Sequence, residues 1–294
     1  MTKLTRRDLF GALAAGAALT AQAQNAVPSL PDEARAGRPI RAVEVIDTHG
    51  HIDETPPGAV WPRNVDLLIE DMDRCGTRQI VVSHFGALQA TTVEALKRAH
   101  DQCVQAATRH PGRVRAYVVF QPYLREASRA ELDRILAPNS PFAGIKLHGA
   151  LHAYPADGPA YRVPFEFAQE HSLPVLFHVG QGLDRIGAIG QAYPRMKLIV
   201  AHYAGGNAAV LKWVRDLPNL LVDTCTSNGP HRIIERLRDA CGAEKILYGS
   251  DSVYLCMGSQ IARIAFARIA DDDKRRIYGV NARGIFGSRL APPV

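Results

Sequence analysis

The sequence predicts an α/β protein built as one (β/α)8 barrel, the TIM-barrel architecture, behind an N-terminal signal peptide. Three observations predict this fold. Eight short apolar runs have the composition of strands, amphipathic runs lie between them, and together they fill about 250 residues, the usual size of such a barrel. An open, doubly wound sheet is the competing architecture, but no glycine-rich dinucleotide turn follows the first apolar run.

The first 23 residues have the pattern of an export signal. Paired arginines, Arg6 and Arg7, precede an apolar segment from Leu9 to Leu19, and small residues surround Ala23. The apolar segment is too short to cross a bilayer, so we expect cleavage near Ala23 rather than a stable membrane anchor. The arginine pair is typical of a twin-arginine signal, which predicts export by the twin-arginine machinery and a periplasmic mature protein.

An extended lead-in is predicted over residues 24–40, which contain several prolines. The barrel follows over residues 41–294, without an internal repeat. Its strands are predicted at 41–49, 79–85, 114–122, 142–149, 174–180, 197–205, 219–226 and 245–251. Helices are predicted between them, among them 64–76, 91–110, 127–137, 208–217 and 231–240, and a last helical region begins at Gln260.

The composition excludes some classes of partner and site. The formal net charge is +6, and loss of the three cations and one anion of the signal (Lys3, Arg6, Arg7 and Asp8) lowers it to +4. This excess is spread along the chain and is not interleaved with aromatic residues, so no nucleic-acid partner is expected. Five cysteines without a CxxC pair favour neither a disulfide framework nor a thiolate metal site. Most are expected to be buried as small apolar residues.

Ionisable side chains follow the predicted strands at the end where TIM barrels carry their chemistry. The stretch "DTHGH" places two histidines two residues apart, and therefore on one face of an extended chain. The strand-end residues are His49 and His51 on strand one, Lys146 and His148 on strand four, His178 on strand five, His202 on strand six and Asp251 on strand eight. Imidazoles and a carboxylate on converging strand ends form a nitrogen and oxygen shell suited to one divalent ion, first of all zinc.

Side-chain alternation predicts which of these groups point into the barrel. It turns Lys146 and His148 inward, and it places His202 on the same face as Leu198 and Val200. The remaining histidines fall on predicted loops or helices and are expected to be solvated or locally hydrogen-bonded: His84, His100, His110, His152, His171 and His231.

These motifs resemble the amidohydrolase superfamily. "DTHGH" after strand one, histidines ending strands five and six, and an aspartate ending strand eight match its pattern. "LYGSD" and "RRIYGVNARGIFG" are similar to the amidohydrolase-related branch that contains aminocarboxymuconate-semialdehyde decarboxylase. The resemblance covers residues 41–287. It implies a catalytic residue beside a metal, His202, and four metal ligands, His49, His51, His178 and Asp251.

Strand four is where binuclear members of this superfamily hold a carbamylated lysine or a glutamate between two metal ions. Lys146 occupies that region. We expect an unmodified lysine paired with Asp223 or with the substrate, because a buried ammonium group needs a partner. One metal ion follows from this expectation, and a carbamylated Lys146 with a second ion is the alternative.

Three functions are compatible with this set of residues. The first expectation is a metal-dependent hydrolase of a small amide, ester, lactone or activated C–C bond, in which Asp251 accepts a proton from activated water and His202 stabilises the oxygen that becomes negative. The second is a non-oxidative decarboxylase of an unsaturated or aromatic acid. The third, of another class, is a non-catalytic periplasmic metal- or ligand-binding protein.

Substrate contacts are expected from the loops after strands four, five and eight. Lys146, His148 and Arg185 are the candidates, and Arg185 suits a substrate carboxylate. Tyr154 and Tyr254 are further candidates for the wall of the pocket. The sequence leaves open whether the chain forms a homo-oligomer.

Overall fold

Eight parallel strands form the centre of the protein and pair in sequence order. The computed structural model describes residues 29–53 and 64–292. The strands are β1 Val45–Ile52, β2 Thr77–His84, β3 Val114–Val119, β4 Phe142–His148, β5 Pro174–His178, β6 Lys197–Val200, β7 Leu220–Asp223 and β8 Ile246–Leu247. Helices lie between successive strands, and the predicted (β/α)8 architecture is confirmed.

The segment after β8 closes the barrel against β1. Gly50 and Ser252 form a parallel bridge beyond the short last strand. The amide of Asp251 donates to the carbonyl oxygen of His49 at 2.7 Å, and the amide of His51 donates to the carbonyl oxygen of Ser252 at 2.5 Å. The first and last strands of the barrel therefore meet at the two histidines and the aspartate that the sequence singles out.

The two faces of the strands bury separate apolar clusters. One inward side chain from each strand forms the first cluster: Ile46, Val81, Tyr117, Ala143, Leu176, Ile199, Leu221 and Leu247. Phe286 and Leu290, at the end of the chain, join this cluster and cover the end at which the strands begin. Side chains on the outer face pack with the helices in a larger cluster. Each fully buried Leu or Ile contributes about 1.5–3 kcal/mol to this packing.

An irregularity in β1 sets the direction of His49 and His51. Ile46 belongs to the inner cluster. Asp47 pairs with Ile80 and Gly50 with Val82, so three residues of chain in β1 match two in β2. β1 therefore contains one additional residue, a β-bulge. Such an insertion reverses the alternation of side chains beyond it. His49 and His51 consequently point inward above Ile46, where strict alternation would direct them towards the helices.

Polar side chains cap the first turn of several helices. Asn64, Thr92 and Asn207 each accept hydrogen bonds from amides of the following first turn. The described α-helices are Leu30–Arg35, Val65–Cys75, Phe85–Leu88, Val93–Arg109, Arg125–Leu132, Gly149–His152, Arg162–His171, Ile186–Ala192, Ala208–Asp216, Ile233–Cys241, Met257–Ala265, Asp271–Arg275 and Asn281–Phe286. Helices Val65–Cys75 and Met257–Ala265 pack against each other on the outside of the barrel.

The lead-in differs from the prediction. Residues 30–35 form a short helix, although residues 24–40 are predicted to be extended. Ser29 caps this helix, and Pro31 stands in its first turn, where proline lacks only an amide that would have no partner. Pro31 is thus part of the start of a helix instead of preventing one. The predicted signal peptide, residues 1–23, lies outside the described residues. In the described part of the chain, no helix has the length and apolarity needed to cross a bilayer.

Candidate metal centre

His49 lies at the floor of the site and is held on both sides of its ring. Its Nδ1 lies 2.7 Å from Oδ2 of Asp223, and its Nε2 lies 2.8 Å from Nζ of Lys146. The other oxygen of Asp223 accepts the amide of His202 at 2.7 Å, so the carboxylate acts only as an acceptor. Nδ1 of His49 therefore carries the proton, and the lone pair of Nε2 accepts a hydrogen bond from Lys146, which an ion bound at this nitrogen would replace.

His49, His51 and Asp251, three of the four ligands that the family resemblance implies, bring three ligand atoms close together. Oδ1 of Asp251 lies 3.0 Å from Nε2 of His51 and 3.6 Å from Nε2 of His49. Atoms bound to one ion at about 2.1 Å are separated by about 3.0–3.4 Å in octahedral or tetrahedral geometry. The 3.0 Å spacing falls in this range, the 3.6 Å spacing is slightly wider, and the donor types suit a divalent cation.

His178 and His202 lie beside this group. Nδ1 of His178 and Nε2 of His202 are 3.1 Å apart, and the ring of His148 stacks on His178 with centroids 4.1 Å apart. The ring of His202 meets that of His49 edge-on at 5.2 Å. His178 is thus within hydrogen-bonding distance of His202. Although the family resemblance implies it as a ligand, it lies outside the group formed by His49, His51 and Asp251.

Lys146 reaches the site, but with a partner that differs from the expected one. The side chain is fully buried and its ammonium group contacts His49, whose opposite nitrogen contacts Asp223. Asp223 is therefore linked to Lys146 through the imidazole ring and not by the expected direct pair.

Burial controls the charges of the site. It lowers the pKa of Lys146 to about 8, against the attraction of Asp251. Burial and the neighbouring His202 lower the pKa of His178 to about 3. For Asp251, burial raises the pKa, but the hydrogen bond from His51 and the attraction of His49, His51 and His202 together outweigh burial and hold the pKa below its ordinary value. Neutral imidazoles and an ionised carboxylate are the forms that bind a cation.

Two of these residues have left-handed backbones, with φ of 56° at His202 and 60° at Asp251. Such conformations cost about 1–3 kcal/mol in residues other than glycine and cluster at functional sites. For His202 the backbone also explains a wrong prediction. Leu198 and Val200 pack outward among the helices, so His202 does not share their face. β6 ends at Val200, and the left-handed turn brings His202 to the inside.

Cys225 is a residue of the site that sequence reasoning missed. Its Sγ lies 3.3 Å from Asp223, 3.2 Å from His49 and 3.4 Å from His202. With the two histidines it forms a second group of ligand atoms. Nδ1 of His49 is already bonded to Asp223, and burial raises the pKa of the Cys225 thiol. The group with His51 and Asp251 is therefore the better cation site. The sequence does contain a signal, because Asp223 and Cys225 are two residues apart at the end of β7.

Phe85 and Tyr254 form an aromatic wall at the mouth of the site. Their ring centroids are 4.7 Å apart, and both rings meet His51 edge-on, at 6.0 and 5.4 Å. The hydroxyl group of Tyr254 donates to Asp53 at 3.2 Å. The sequence singles out Tyr254 as a pocket residue but not Phe85, which follows β2 directly.

The other substrate candidates lie elsewhere. Arg185 is 58% exposed and faces the carboxylates of Asp157 and Asp184 at 3.5 and 3.4 Å. These ion pairs place it on the surface rather than in the group of histidines. Tyr154 packs against Tyr161 and accepts a hydrogen bond from the amide of Ala160, in the loop after β4.

Comparison with known proteins identifies the family of the chain. The model of the amidohydrolase family matches residues 46–288. No curated protein matches the chain. Similar solved structures include 2,6-dihydroxybenzoate decarboxylase from Rhizobium, with 17% identity, a TM-score of 0.70 and coverage of 83% of this chain and 98% of that one.

Two further structures are comparable. The 5-carboxyvanillate decarboxylase of Novosphingobium aromaticivorans, complexed with manganese and 4-hydroxy-3-methoxy-5-nitrobenzoic acid, has 14% identity, a TM-score of 0.71 and coverage of 83% and 96%. The 4-oxalomesaconate hydratase of Rhodopseudomonas palustris has 15% identity, a TM-score of 0.66 and coverage of 84% and 96%. At these identities the likeness establishes the fold and not the reaction. The family model, however, spans most of the chain, and the chain therefore belongs to the amidohydrolase family.

Proposed function

We propose that the protein is a metal-dependent, non-oxidative decarboxylase of an aromatic or conjugated carboxylic acid, in the branch that resembles aminocarboxymuconate-semialdehyde decarboxylase. The observation that carries this proposal is the aromatic wall beside Asp251 and His51. Flat, apolar rings at the mouth of a polar site suit a planar substrate. The likeness to two decarboxylases of aromatic acids supports the same reaction.

One divalent ion, with zinc as the expected one, would be held by His49, His51 and Asp251. The family resemblance implies His178 as the fourth ligand. The neutral imidazoles and the ionised carboxylate fit such an ion. When bound, the ion supplies positive charge that stabilises negative charge on substrate oxygen atoms.

The protein's own residues would manage the proton. In decarboxylation the C–C bond to the carboxyl group breaks, CO₂ leaves, and the electron pair remains on a carbon that then takes up one proton. Asp251 can accept a proton from a substrate hydroxyl group and return it to that carbon. His202, half-buried at the mouth, is the second candidate for this role. Lys146 places a buried positive charge beneath them, which favours binding of a carboxylate.

The test of the reaction follows the fate of the carboxyl group. Purified protein loaded with zinc or manganese is incubated with hydroxybenzoates and unsaturated acids that carry a ¹³C-labelled carboxyl group, in D₂O. We expect labelled CO₂ and one deuterium at the carbon that loses it. Mass spectrometry of the gas and of the product measures both.

Replacing Phe85 by alanine tests the aromatic wall. The variant should raise KM for aromatic acids about tenfold or more, because one ring of the wall is lost. Phe266→Ala serves as the matched control, since it removes a ring that is 48% exposed on the surface after the helix Met257–Ala265. The control should leave KM unchanged. Equal KM values for the two variants would show that the aromatic wall does not contribute to substrate binding.

Other outcomes would contradict the proposal. Release of acid from esters, lactones or amides without CO₂ would establish hydrolysis, the first expectation from the sequence. Tight binding of metal and ligand without turnover, unaffected by His202→Ala, would establish a non-catalytic binding protein.

We also propose that the enzyme works in the periplasm after export through the twin-arginine machinery. The support is the arginine pair and the short apolar segment. The double variant Arg6→Lys, Arg7→Lys is expected to remain in the cytoplasm, whereas the wild-type protein should be recovered from the periplasm with its N-terminus near position 24. Normal export of the double variant, or exported protein that begins at Met1, would contradict this prediction.

A further inference from the structure

Cys75 and Cys256 approach each other outside the metal centre. Cys75 ends the helix Val65–Cys75, and Cys256 immediately precedes the helix Met257–Ala265. A Cβ atom built on Gly258 would lie 3.8 Å from Sγ of Cys75 and 3.9 Å from Sγ of Cys256. The two sulfur atoms therefore lie on either side of the same small space, which is open because Gly258 has no side chain.

These two cysteines are also the accessible ones. Cys103, Cys225 and Cys241 are buried, whereas Cys75 is half-buried and Cys256 is exposed. Cys256 is exposed and precedes the helix, so a change of its rotamer can turn its sulfur atom towards Cys75. The expectation that most cysteines are buried holds for three of the five.

We propose that Cys75 and Cys256 form a reversible disulfide in an oxidising compartment. The oxidant is a small disulfide such as glutathione disulfide. Cys256 attacks it as a thiolate and releases one glutathione, and Cys75 then displaces the second from the mixed disulfide. The two protein thiols lose two protons and two electrons, and glutathione disulfide is reduced to two glutathione molecules. Burial raises the pKa of Cys75 to about 11, which makes the exposed Cys256 the first to react.

The bond would tether a loop of the active site. Cys256 ends the segment that begins at Asp251 and contains Tyr254. Cys75 belongs to a helix packed on the outside of the barrel, so the disulfide would fix this segment to the scaffold. The proposed export supplies only the biological setting of this bond, and the test needs no substrate.

The test counts thiols in purified full-length protein after equilibration with glutathione disulfide. We expect the five thiols to fall to three, a mass loss of two hydrogens, and a cross-linked peptide pair that contains Cys75 and Cys256. The oxidised protein should melt about 4–10 °C higher than the reduced one. Cys256→Ser should keep all its thiols, and Cys75→Ser should keep a glutathione adduct on Cys256.

Three results would overturn the inference. They are five free thiols in oxidised wild-type protein, a lasting glutathione adduct on wild-type Cys256, and a disulfide that joins other cysteines. Because each is read from mass and thiol content, failure here is distinguishable from failure of the proposed decarboxylation.

Discussion

Replacing Asp251 by asparagine is expected to lower kcat/KM by at least about 10³-fold, even when metal is restored. The carboxylate lies 3.0 Å from His51 and 3.6 Å from His49, and it is the acidic member of the candidate metal group. An asparagine side chain has nearly the same shape but can neither neutralise a cation nor accept a proton. The measurement is steady-state turnover of protein whose metal content has been verified by elemental analysis.

His178→Asn provides the comparison. His178 is proposed only as a ligand, so its loss should chiefly reduce metal content, and excess metal should restore part of the activity. Near-normal turnover by metal-replete Asp251→Asn would show that Asp251 has no part in moving the proton. Equal behaviour of the two variants would assign both residues to metal binding alone.

One equivalent of tightly bound metal, first of all zinc, is expected in protein purified without chelator, and His49→Gln should lose nearly all of it. His49 is oriented by Asp223 so that Nε2 faces the other ligand atoms. Loss of an orienting partner alone costs about 10–100-fold in metal affinity, so loss of the ligand should cost more. Elemental analysis of the two proteins measures the effect.

Lys146→Ala tests the number of ions. The unmodified ammonium group has only hydrogen-bond donors and cannot bridge two metal ions. The variant is therefore expected to keep its one equivalent of bound metal per chain. Two equivalents in the wild-type protein that fall to one in Lys146→Ala would establish a binuclear site with a carbamylated lysine.

The architecture and the positions of the main site residues could be predicted from strand ends. His49 and His51 lie near the end of β1, Lys146 lies near the end of β4 and Asp251 follows β8, and parallel strands of a barrel bring these ends together. Alternation predicts correctly that Lys146 points inward, but it could not predict that His49, His51 and His202 do so. The additional residue in β1 and the left-handed backbone at His202 both change the phase, and neither leaves a pattern in composition.

Longer-range partners are harder to predict. Arg185 stands close after β5 in sequence, but nearby carboxylates hold it at the surface. Cys225 reaches the site from the end of β7, two residues after Asp223, but cysteine is common in apolar cores, so this spacing alone is a weak signal. The short helix of the lead-in depends on a serine cap and a proline in the first turn, a local pattern hidden among other prolines.

The closure of the barrel between β1 and the segment after β8 has a consequence for how the protein matures. His49 and Asp251 stand about 200 positions apart, so the candidate metal group exists only once both ends of the fold have met. Contacts of such long sequence separation form late and slowly. An ion that binds only the closed barrel stabilises it by mass action, in proportion to the logarithm of its concentration. Metal supply would then act on the yield of folded protein as well as on catalysis, and a nascent chain that lacks its last strand could not retain the ion.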